Sequence, residues 1–433
     1  MLIDFSVKNF TSFKNLTTLS AETGERLRKF KETNTFQNKN PHLLKNLLLF
    51  GPNGSGKSQL IGALGTMQMI VTRPTHAITD KLFYNPFSFD EQSRNEDTYF
   101  NINIEINNKI YEYSFEYNSE RIAREVLYTF ANDKKIVLFE RNDDQVVVKN
   151  KTLESSLPKL RKNSLFLYMA QSENDPDAGA VFSWFAKNLI FINNGTGIPM
   201  EMIGLIDDEH LKQEMISFLR FADFNITDIK VRELPFPIQD SNFQKFVESF
   251  DVKLPEKNRA LYTVHKVYKD NKVVSEGELP LSSESIGTQR IFYIVLVMIY
   301  AQITGNEKTI IIDEFDDSLH EELTKAMVKV FNSKQNLNQF IVTTHDLQLL
   351  DSDLRIDQMY LLEKDFHGIS ELKSIFDFED TRNKGRSDIS FAKRYMQGRF
   401  GAMPVIDVDG LLDVLDMIHK KYGVANGKKK EKA

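Results

Sequence analysis

The first 150 residues are dominated by stretches in which apolar and polar side chains alternate. Residues 2–20 alternate in two short stretches with a break near Thr11–Asn15, and alternation returns from Tyr99 to Tyr117 around Asn107-Asn108. A period of two indicates half-buried strands, and an Asn-Asn pair tolerates the positive φ angles of a tight turn. Two β-hairpins are therefore predicted. Further strands of an antiparallel β-layer are predicted at Leu127–Thr129, Ile136–Glu140 and Gln145–Lys149.

Between residues 153 and 255 the spacing of apolar residues changes to that of helices. Phe182–Lys187, Pro199–Leu205 and Glu209–Phe221 fit helical periodicity, and no heptad repeat lasts beyond a few turns. The pattern excludes a long coiled coil and predicts a compact helical insertion.

Continuous apolar runs mark the remaining framework. Leu47–Phe50, Thr309–Ile312, Phe340–Thr344 and Met359–Glu363 are typical of strands buried on both faces, and Ile291–Ile303 has the length of a helix. Strands that alternate with helices predict a parallel α/β sheet, in which the first of these runs is a neighbour of the later ones.

These patterns divide the chain into four parts. We expect an α/β fold with a first part over 1–152, a compact helical insertion over 153–258, a second α/β part over 259–388 and a helical C-terminal segment over 389–433. The second α/β part is predicted to begin with the strand Leu261–Tyr268. The C-terminal segment is predicted to contain two helices, Ile389–Arg399 and Leu411–Lys421.

Composition narrows the class of protein. The 433 residues exceed one typical core, so more than one packed lobe is expected. The chain has no cysteine, which excludes disulfides, thiolate metal sites and cysteine nucleophiles. Its first residues resemble a strand rather than a signal peptide, 27% of its residues are charged and no apolar run suggests a membrane span. A cytoplasmic protein without membrane contact is expected.

A glycine-rich segment follows the apolar run that ends at Phe50. Residues 51–58 match G-x-x-x-x-G-K-[ST] completely and lie between a predicted strand and the helix-like Gln59–Ile70. Lys57 is predicted to reach the β- and γ-phosphates of a nucleoside triphosphate, and the Ser58 hydroxyl to bind Mg²⁺. The phosphate-binding residues of this P-loop would be Gly51, Asn53, Gly54, Ser55, Gly56, Lys57 and Ser58. The alternative is a glycine-rich turn without a ligand.

Two later strands end in polar residues. Asp313 and Glu314 follow Thr309–Ile312, and His345 follows Phe340–Thr344. At the carboxyl edge of the sheet, Asp313 would hold Mg²⁺, Glu314 would accept the proton of an attacking water, and His345 would sense the γ-phosphate. Considered alone, the acidic residues could equally be a capping or surface pair and His345 a structural side chain.

Ser285 and Gly287 precede the predicted helix Ile291–Ile303. A serine and a glycine at a helix N-terminus form an anion site through free N–H groups and the helix dipole. The serine is also an ordinary helix N-cap in either case. The order of the motifs along the chain favours the anion site.

That order resembles ABC-type ATPases. The resemblance implies ATP and Mg²⁺ as ligands, ATP hydrolysis and a homo-oligomer of at least two subunits, because Ser285 and Gly287 would contact the γ-phosphate on another subunit's P-loop. Asp317 would belong to the subunit-contacting D-loop, residues 316–320. Gln171, at the end of the strand-like Leu165–Ala170, would be the Q-loop residue that contacts Mg²⁺ or the attacking water.

The segment Asn9–Lys14 is similar to the SMC, RecF and OLD branch of these ATPases. The missing coiled coil argues against the chromosome-tethering members, and the about 70 residues after Glu363 are too few for a Toprim nuclease lobe. Glu284–Arg290 and Phe391–Pro404 resemble the short RloA-like, or AAA15, ATPases of anti-phage and abortive-infection systems. The resemblance implies a separately encoded, nuclease-like effector as partner.

Two functions therefore compete: a defence sensor that controls an effector, and a RecF-like repair ATPase that acts directly on DNA. Two basic features leave nucleic-acid binding open. Lys393, Arg394 and Arg399 form either a solvated helix face or a surface for a partner or nucleic acid, and the tail Lys428–Lys432 is either solvated or bound to nucleic acid.

Overall fold

The fold is taken from a computed structural model, which describes residues 1–24, 27–132, 134–192, 198–222, 224–235, 257–305, 307–378, 390–401 and 407–422. Its strands are β1 Leu2–Lys8, β2 Thr17–Ser20, β3 Thr35–Phe36, β4 Leu43–Leu44, β5 Asn46–Phe50, β6 Thr98–Ile106, β7 Lys109–Tyr117, β8 Ile122–Ala131, β9 Lys134–Asn142, β10 Gln145–Val148, β11 Leu189–Ile192, β12 Asp228–Pro235, β13 Lys257–Lys269, β14 Lys272–Pro280, β15 Thr309–Ile312, β16 Gln339–Thr344, β17 Met359–Lys364 and β18 Ser370–Ser374. Its α-helices are α1 Lys31–Asn34, α2 Lys57–Thr72, α3 Phe166–Ser172, α4 Pro176–Ser183, α5 Met200–Ile203, α6 Glu209–Phe221, α7 Ile286–Ile303, α8 Glu321–Phe331, α9 Phe391–Met396 and α10 Val408–Tyr422. Short 3₁₀ turns and one π-helical turn, Trp184–Asn188, connect them.

One sheet of the α/β fold is mainly parallel, as the apolar runs predict. Its order is β11-β15-β16-β5-β17-β18, and only β18 runs antiparallel to its neighbour. Phe50 pairs with Thr344, and Ile312 pairs with Val342, so β5, β15 and β16 end at the same edge. Loops that follow these strands must therefore lie together.

The second large sheet is antiparallel, in the order β10-β9-β8-β7-β6-β1-β2. It confirms the hairpin of residues 2–20 and the hairpin around Asn107-Asn108, whose φ angles are 51° and 62°. Its apolar face packs on β5 and α2, with Phe100 and Leu49 in one buried cluster. The antiparallel layer thus covers the strand and helix that flank the P-loop.

Side chains of β5 alternate between two cores. Leu47 and Leu49 lie in the cluster beneath the antiparallel sheet, whereas Leu48 and Phe50 lie in a second cluster with α6, α7 and α8. Burial on both faces explains the uninterrupted apolar sequence of this strand. Helix α7 lies in the second cluster. It is the one described helix that is long and apolar enough to span a membrane by composition, and 61% of it is buried inside the protein.

Two expectations about residues 153–258 are wrong. The predicted strand Leu165–Ala170 is mostly helical, because α3 begins at Phe166, where the buried carboxylate of Glu125 accepts hydrogen bonds from the backbone N–H groups of Phe166 and Leu167 at 2.6 and 2.8 Å. That cap comes from a distant strand, so local spacing cannot reveal it.

The same region is also not purely helical. Strand β11 pairs in parallel with β15 in the main sheet, and β12 pairs with β13 in a separate three-stranded sheet, β12-β13-β14. A four-residue apolar run such as β11 cannot be distinguished from a helix segment by periodicity. In the C-terminal segment, α10 agrees with the predicted Leu411–Lys421 helix, and α9 is shorter than predicted. Residues 389 and 402–404, and the tail Lys428–Lys432, lie outside the described residues.

Candidate nucleotide-binding site

The P-loop connects the end of β5 to the start of α2. All three of its glycines have positive φ angles, 153° at Gly51, 77° at Gly54 and 112° at Gly56, and at two of them the space beside Cα is also restricted. A Cβ atom on Gly51 would overlap the carbonyl oxygen of Leu362, and one on Gly56 would lie 2.5 Å from the Ser370 hydroxyl. Both positions therefore require glycine on conformational and steric grounds.

Neighbouring elements hold the loop in this shape. The Ser370 hydroxyl at the start of β18 donates to the carbonyl oxygen of Ser55 at 2.7 Å and lies 2.8 Å from the Ser12 hydroxyl. The backbone N–H of Ser370 donates to the carbonyl oxygen of Ser12 at 2.8 Å. The turn between β1 and β2 and the edge strand of the parallel sheet thus meet behind the P-loop.

Lys57 lies across the P-loop. Its Nζ donates to the carbonyl oxygens of Gly51 and Pro52 at 2.7 and 3.1 Å, and the residue is only 5% exposed. Burial lowers the pKa of Lys57 to about 8, against the opposing attraction of carboxylates led by Asp313. A buried ammonium with this shifted pKa favours an anion as an additional partner.

The two predicted carboxylates lie where β15 ends. Thr343 on the neighbouring strand donates from its hydroxyl to Asp313 Oδ1 at 2.5 Å and accepts from the backbone N–H of Glu314 at 2.7 Å. Glu314 is exposed and has a φ angle of 51°, which is unusual for a residue other than glycine. One threonine thus fixes both the orientation of Asp313 and the backbone of Glu314.

Ser58 and Asp313 line one cavity of about 370 Å³, together with Phe191 of β11. A hydroxyl and a carboxylate suit Mg²⁺, which prefers oxygen ligands and usually takes few from the protein beside substrate phosphates. No group of three or more histidine or acidic side chains in the described ranges is placed to hold a metal by itself. The residues present therefore fit Mg²⁺ bound together with a nucleotide.

His345 begins the loop after β16. Its backbone N–H donates to the Asp316 carboxylate at 3.1 and 3.2 Å, which ties this loop to the D-loop. Partial desolvation, and then the charge of Lys57, lower the pKa of His345 below its usual value. The imidazole is therefore mainly neutral at pH 7 and can donate a hydrogen bond without carrying a charge.

Ser285 and Gly287 lie at the start of α7. The Ser285 hydroxyl accepts from the backbone N–H of Thr288 at 3.1 Å, so it is the N-cap of the helix. A Cβ atom on Gly287 would overlap the carbonyl oxygen of Ser318, which shows how closely α7 approaches the D-loop.

Arg290 joins the D-loop to the acidic strand end. Its guanidinium is buried and donates to the carbonyl oxygens of Asp317 at 3.0 Å and Asp313 at 2.8 Å. Desolvation lowers its pKa, and nearby carboxylates partly offset that effect. The start of α7, Asp317 and the end of β15 are consequently held in one framework.

The predicted residues fall into two groups. The P-loop, Asp313, Glu314 and His345 share the carboxyl edge of the parallel sheet, whereas Ser285 and Gly287 are at the start of α7, where Gly287 lies against Ser318 and Leu319. Gln171 belongs to neither group. It is in α3, where its Nε2 donates to the Ser172 hydroxyl at 2.9 Å, and no strand of the parallel sheet leads to it. The strand that ends beside Asp313 is β11, whose Ile192 carbonyl oxygen accepts from the Asp313 N–H at 3.4 Å.

Three positioning residues were missed from the sequence: Thr343, Arg290 and Ser370. Thr343 is the polar residue just before the end of an apolar strand, and Arg290 is a charged residue inside an apolar helix. Both departures from the surrounding pattern are signals that a sequence reading could have used, because a buried polar group needs partners. Ser370 gives no such signal.

A P-loop on a parallel sheet, with a carboxylate pair after a second strand and a histidine after the strand between, is the arrangement of a P-loop ATPase domain. Residues 47–351, more than half of the chain, match the family described as "AAA domain, putative AbiEii toxin, Type IV TA system". The chain belongs to this family.

Several solved structures are similar to the chain in fold. They include the SMC head domain from Thermotoga maritima (14% identity, TM-score 0.39, covering 86% of this chain and 98% of that one). An SmcHead bound to the C-winged helix domain of ScpA has 10% identity and a TM-score of 0.40 over 86% and 97% of the two chains. An Smc head with an extended coiled coil, bound to a ScpA domain from Pyrococcus furiosus, has 11% identity and a TM-score of 0.36 over 96% and 99%. No protein with curated function matches the sequence significantly.

Proposed function

We propose that the protein binds and hydrolyses ATP with Mg²⁺. The observation that carries this proposal is the buried ammonium of Lys57, which lies across the glycine-rich loop and is attracted by the carboxylate of Asp313. Ser58 and Asp313 would hold Mg²⁺, which neutralises phosphate charge when bound. Lys57 then exchanges carbonyl partners for phosphate oxygens, and Glu314 accepts the proton of the attacking water. His345, kept neutral, donates to the γ-phosphate.

The ATP site is completed by a second subunit in this proposal. Ser285 is exposed and Ile286 is 62% exposed, so these two residues present a surface at the start of α7, whereas Gly287 behind them is buried against the carbonyl oxygen of Ser318. Ser285 and Gly287 contact the γ-phosphate held by the other subunit, and Asp317 contacts that subunit through the D-loop. ATP therefore stabilises a dimer at least, and hydrolysis releases it.

In the cell, we assign the protein a role in prokaryotic anti-phage defence, as a cytoplasmic sensor that controls a separately encoded, nuclease-like effector. The description of its family names a putative toxin of a toxin–antitoxin system, and this description supports a defence context. The resemblance of Glu284–Arg290 and of the segment that begins at Phe391 to the RloA-like, AAA15 ATPases points to the same context. ATP-driven assembly would hold or release the effector.

Two variants test hydrolysis and assembly together. Glu314→Gln keeps the shape of the side chain but cannot accept a proton, so we expect ATP binding, a turnover reduced at least tenfold, and a stable dimer by light scattering. Glu322→Gln, whose side chain is 77% exposed at the start of α8, should behave as wild type. Ser285→Arg should bind ATP and remain monomeric in the presence of ATP. Wild-type turnover in Glu314→Gln would mean that another residue is the base.

One observation favours the alternative function, direct action on DNA. The exposed tip of the β13–β14 hairpin carries Lys266, Lys269 and Lys272 around Tyr268, which is 61% exposed. Basic residues beside an exposed aromatic ring suit nucleic-acid backbones and bases. The hairpin is also tied to the start of α7, because Glu284 accepts from His265 Nε2 at 2.6 Å.

DNA stimulation of hydrolysis distinguishes the two functions. A repair ATPase should hydrolyse ATP several-fold faster with DNA, and reversal of the three hairpin lysines to glutamate should remove that stimulation. A sensor that acts through a partner should show the same turnover with and without DNA. Wild-type turnover that is unchanged by DNA at low salt would eliminate the DNA alternative.

A further inference from the structure

Strand β13 holds the carboxylate of Glu284, the residue directly before Ser285. Glu284 Oε1 accepts from His265 Nε2 at 2.6 Å, and the Thr263 hydroxyl donates to the same oxygen. Because a carboxylate is an acceptor only, the histidine Nε2 is the donor. The Glu284 side chain is 10% exposed, so its charge is turned toward the three-stranded sheet rather than toward the open surface at Ser285.

The sheet that supplies these donors is anchored independently of Glu284. Ile229 of β12 and Leu261 of β13 lie in the same buried cluster as Ile291 of α7. Thr263 is fully buried, and β13 is paired on both sides, with β12 and with β14. Packing of the core therefore fixes β13 relative to α7, and the hydrogen bonds to Glu284 decide only where its carboxylate lies.

A carboxylate released at this position would compete for the start of α7. The first N–H groups of a helix have no partner within the helix, and the helix dipole attracts negative charge to them. The Cα atoms of Glu284 and Ser285 are about 3.8 Å apart, as in any pair of neighbouring residues. A free Glu284 side chain is thus within reach of the N–H groups that a γ-phosphate would use, and its charge would also repel the phosphate.

We propose that Thr263 and His265 are positioning residues, which hold the Glu284 carboxylate away from the start of α7 and so keep that surface open to ATP on a second subunit. The inference rests on the composite ATP site proposed above. The contact acts on the closure of two subunits and leaves ATP binding at the P-loop of one subunit unchanged. If it served only to stabilise the turn before α7, its loss would weaken closure whether or not Glu284 is charged. The charge of Glu284 therefore distinguishes the two roles.

The release variant Thr263→Val/His265→Ala removes both donors and keeps Glu284. In the Glu314→Gln background, where ATP binds but turnover is slow, we expect the dissociation constant of its ATP-dependent dimer to be at least tenfold higher at low salt by sedimentation equilibrium. Added salt should reduce that difference, because it screens the competing charge. A labelled ATP analogue, titrated at protein concentrations below the dimer dissociation constant, should bind with unchanged affinity.

The matched control is Thr227→Val/His210→Ala, which removes the same two kinds of side chain at positions without a hydrogen bond to Glu284. The Thr227 hydroxyl donates to the carbonyl oxygen of Val264 in the same sheet at 3.0 Å, and the His210 side chain is 83% exposed on α6. This variant should dimerise with ATP as the Glu314→Gln parent does.

Removal of the charge gives the decisive comparison. Adding Glu284→Gln to the release variant restores no donor on β13 but leaves no carboxylate to compete, so the dimer should return to within threefold of the parent. If the release variant fails to bind the ATP analogue, His265→Ala alone, at a side chain that is 33% exposed, replaces it, with an expected threefold loss that Glu284→Gln again reverses.

Two results would overturn the proposal: a release variant that dimerises as tightly as the parent, and a weakened dimer that Glu284→Gln does not restore. A Glu314→Gln parent that stays monomeric with ATP would refute the composite site itself, and this inference with it. Failure of the positioning role and failure of the composite site therefore give different results.

Discussion

Replacing Arg290 by lysine tests whether the start of α7, the D-loop and the acidic strand end form one framework. The guanidinium uses two different nitrogens, one for the carbonyl oxygen of Asp317 at 3.0 Å and one for that of Asp313 at 2.8 Å. Lysine keeps the charge but has a single nitrogen at the end of a flexible chain. It can reach one of the two partly buried carbonyl oxygens and leaves the other without this donor.

The expected loss of stability follows from the one hydrogen bond that lysine cannot make. A hydrogen bond to a charged group contributes about 1.5–3 kcal/mol, and the abandoned carbonyl oxygen adds part of its desolvation cost. We therefore expect Arg290→Lys to lower the free energy of unfolding by about 2–3 kcal/mol. ATP turnover should fall more steeply than stability suggests, because either the backbone of Asp313 or the D-loop loses the hydrogen bond that fixes its position.

The matched control is Arg232→Lys. Arg232 is paired with Glu278 on the three-stranded sheet, and its side chain is 53% exposed, so the same substitution should change stability by less than about 0.5 kcal/mol. Urea unfolding followed by circular dichroism gives the stability of both variants, and a phosphate-release assay gives turnover. If Arg290→Lys were as stable and as active as Arg232→Lys, the framework would not depend on Arg290.

Two further variants address the P-loop and a buried acid. Lys57→Ala removes the ammonium that would meet the phosphates, so the affinity for ATP should fall roughly ten- to a hundredfold by isothermal calorimetry; unchanged affinity would contradict the assignment of Lys57. Burial raises the pKa of Asp4 from 3.8 to about 6, although Asn103 donates to it and opposes the shift. The folded state thus binds more protons than the unfolded state between these values, and the stability contributed by protonated Asp4 is lost as pH rises through about 6. Asp4→Asn should therefore be more stable than wild type by about 1–3 kcal/mol at pH 7 and gain little below pH 4; a difference that stays constant across this range would contradict the shift.

The strands of the fold were predictable where the same faces stay buried along the whole segment. Strand β5, buried on both faces, is uniformly apolar, and the hairpin around Asn107-Asn108 alternates because one of its faces packs on the core. Strand β11 and helix α3 were not predictable. The first is too short to show a period, and the second begins at a carboxylate supplied by Glu125, 41 residues away from Phe166.

The residues of the candidate site also divide into those that a local pattern predicts and those that depend on distant contacts. The P-loop and the residues at the strand ends were found because phosphate binding requires glycines, a lysine and carboxylates in fixed local patterns. Thr343, Arg290 and Ser370 act through contacts between distant segments, and their positions depend on which strands are neighbours. The order β15-β16-β5 places Thr343 between the acidic strand and the P-loop strand, and sequence order alone does not contain that information.

These contacts also give a physical route between the two parts of the proposed composite site. Asp313 is hydrogen-bonded through its side chain to Thr343 and through its carbonyl oxygen to Arg290, while Arg290 holds Asp317 beside the start of α7. A change in the coordination of Asp313 therefore acts on a carbonyl oxygen that is one hydrogen bond away from the surface proposed to meet a second subunit. Because Gly287 leaves no space between α7 and Ser318, the D-loop and the helix start cannot move independently. The two surfaces of each subunit should thus respond to the nucleotide as one unit. A variant without Arg290 should still bind ATP and still be able to dimerise, but ATP binding should no longer promote dimer formation.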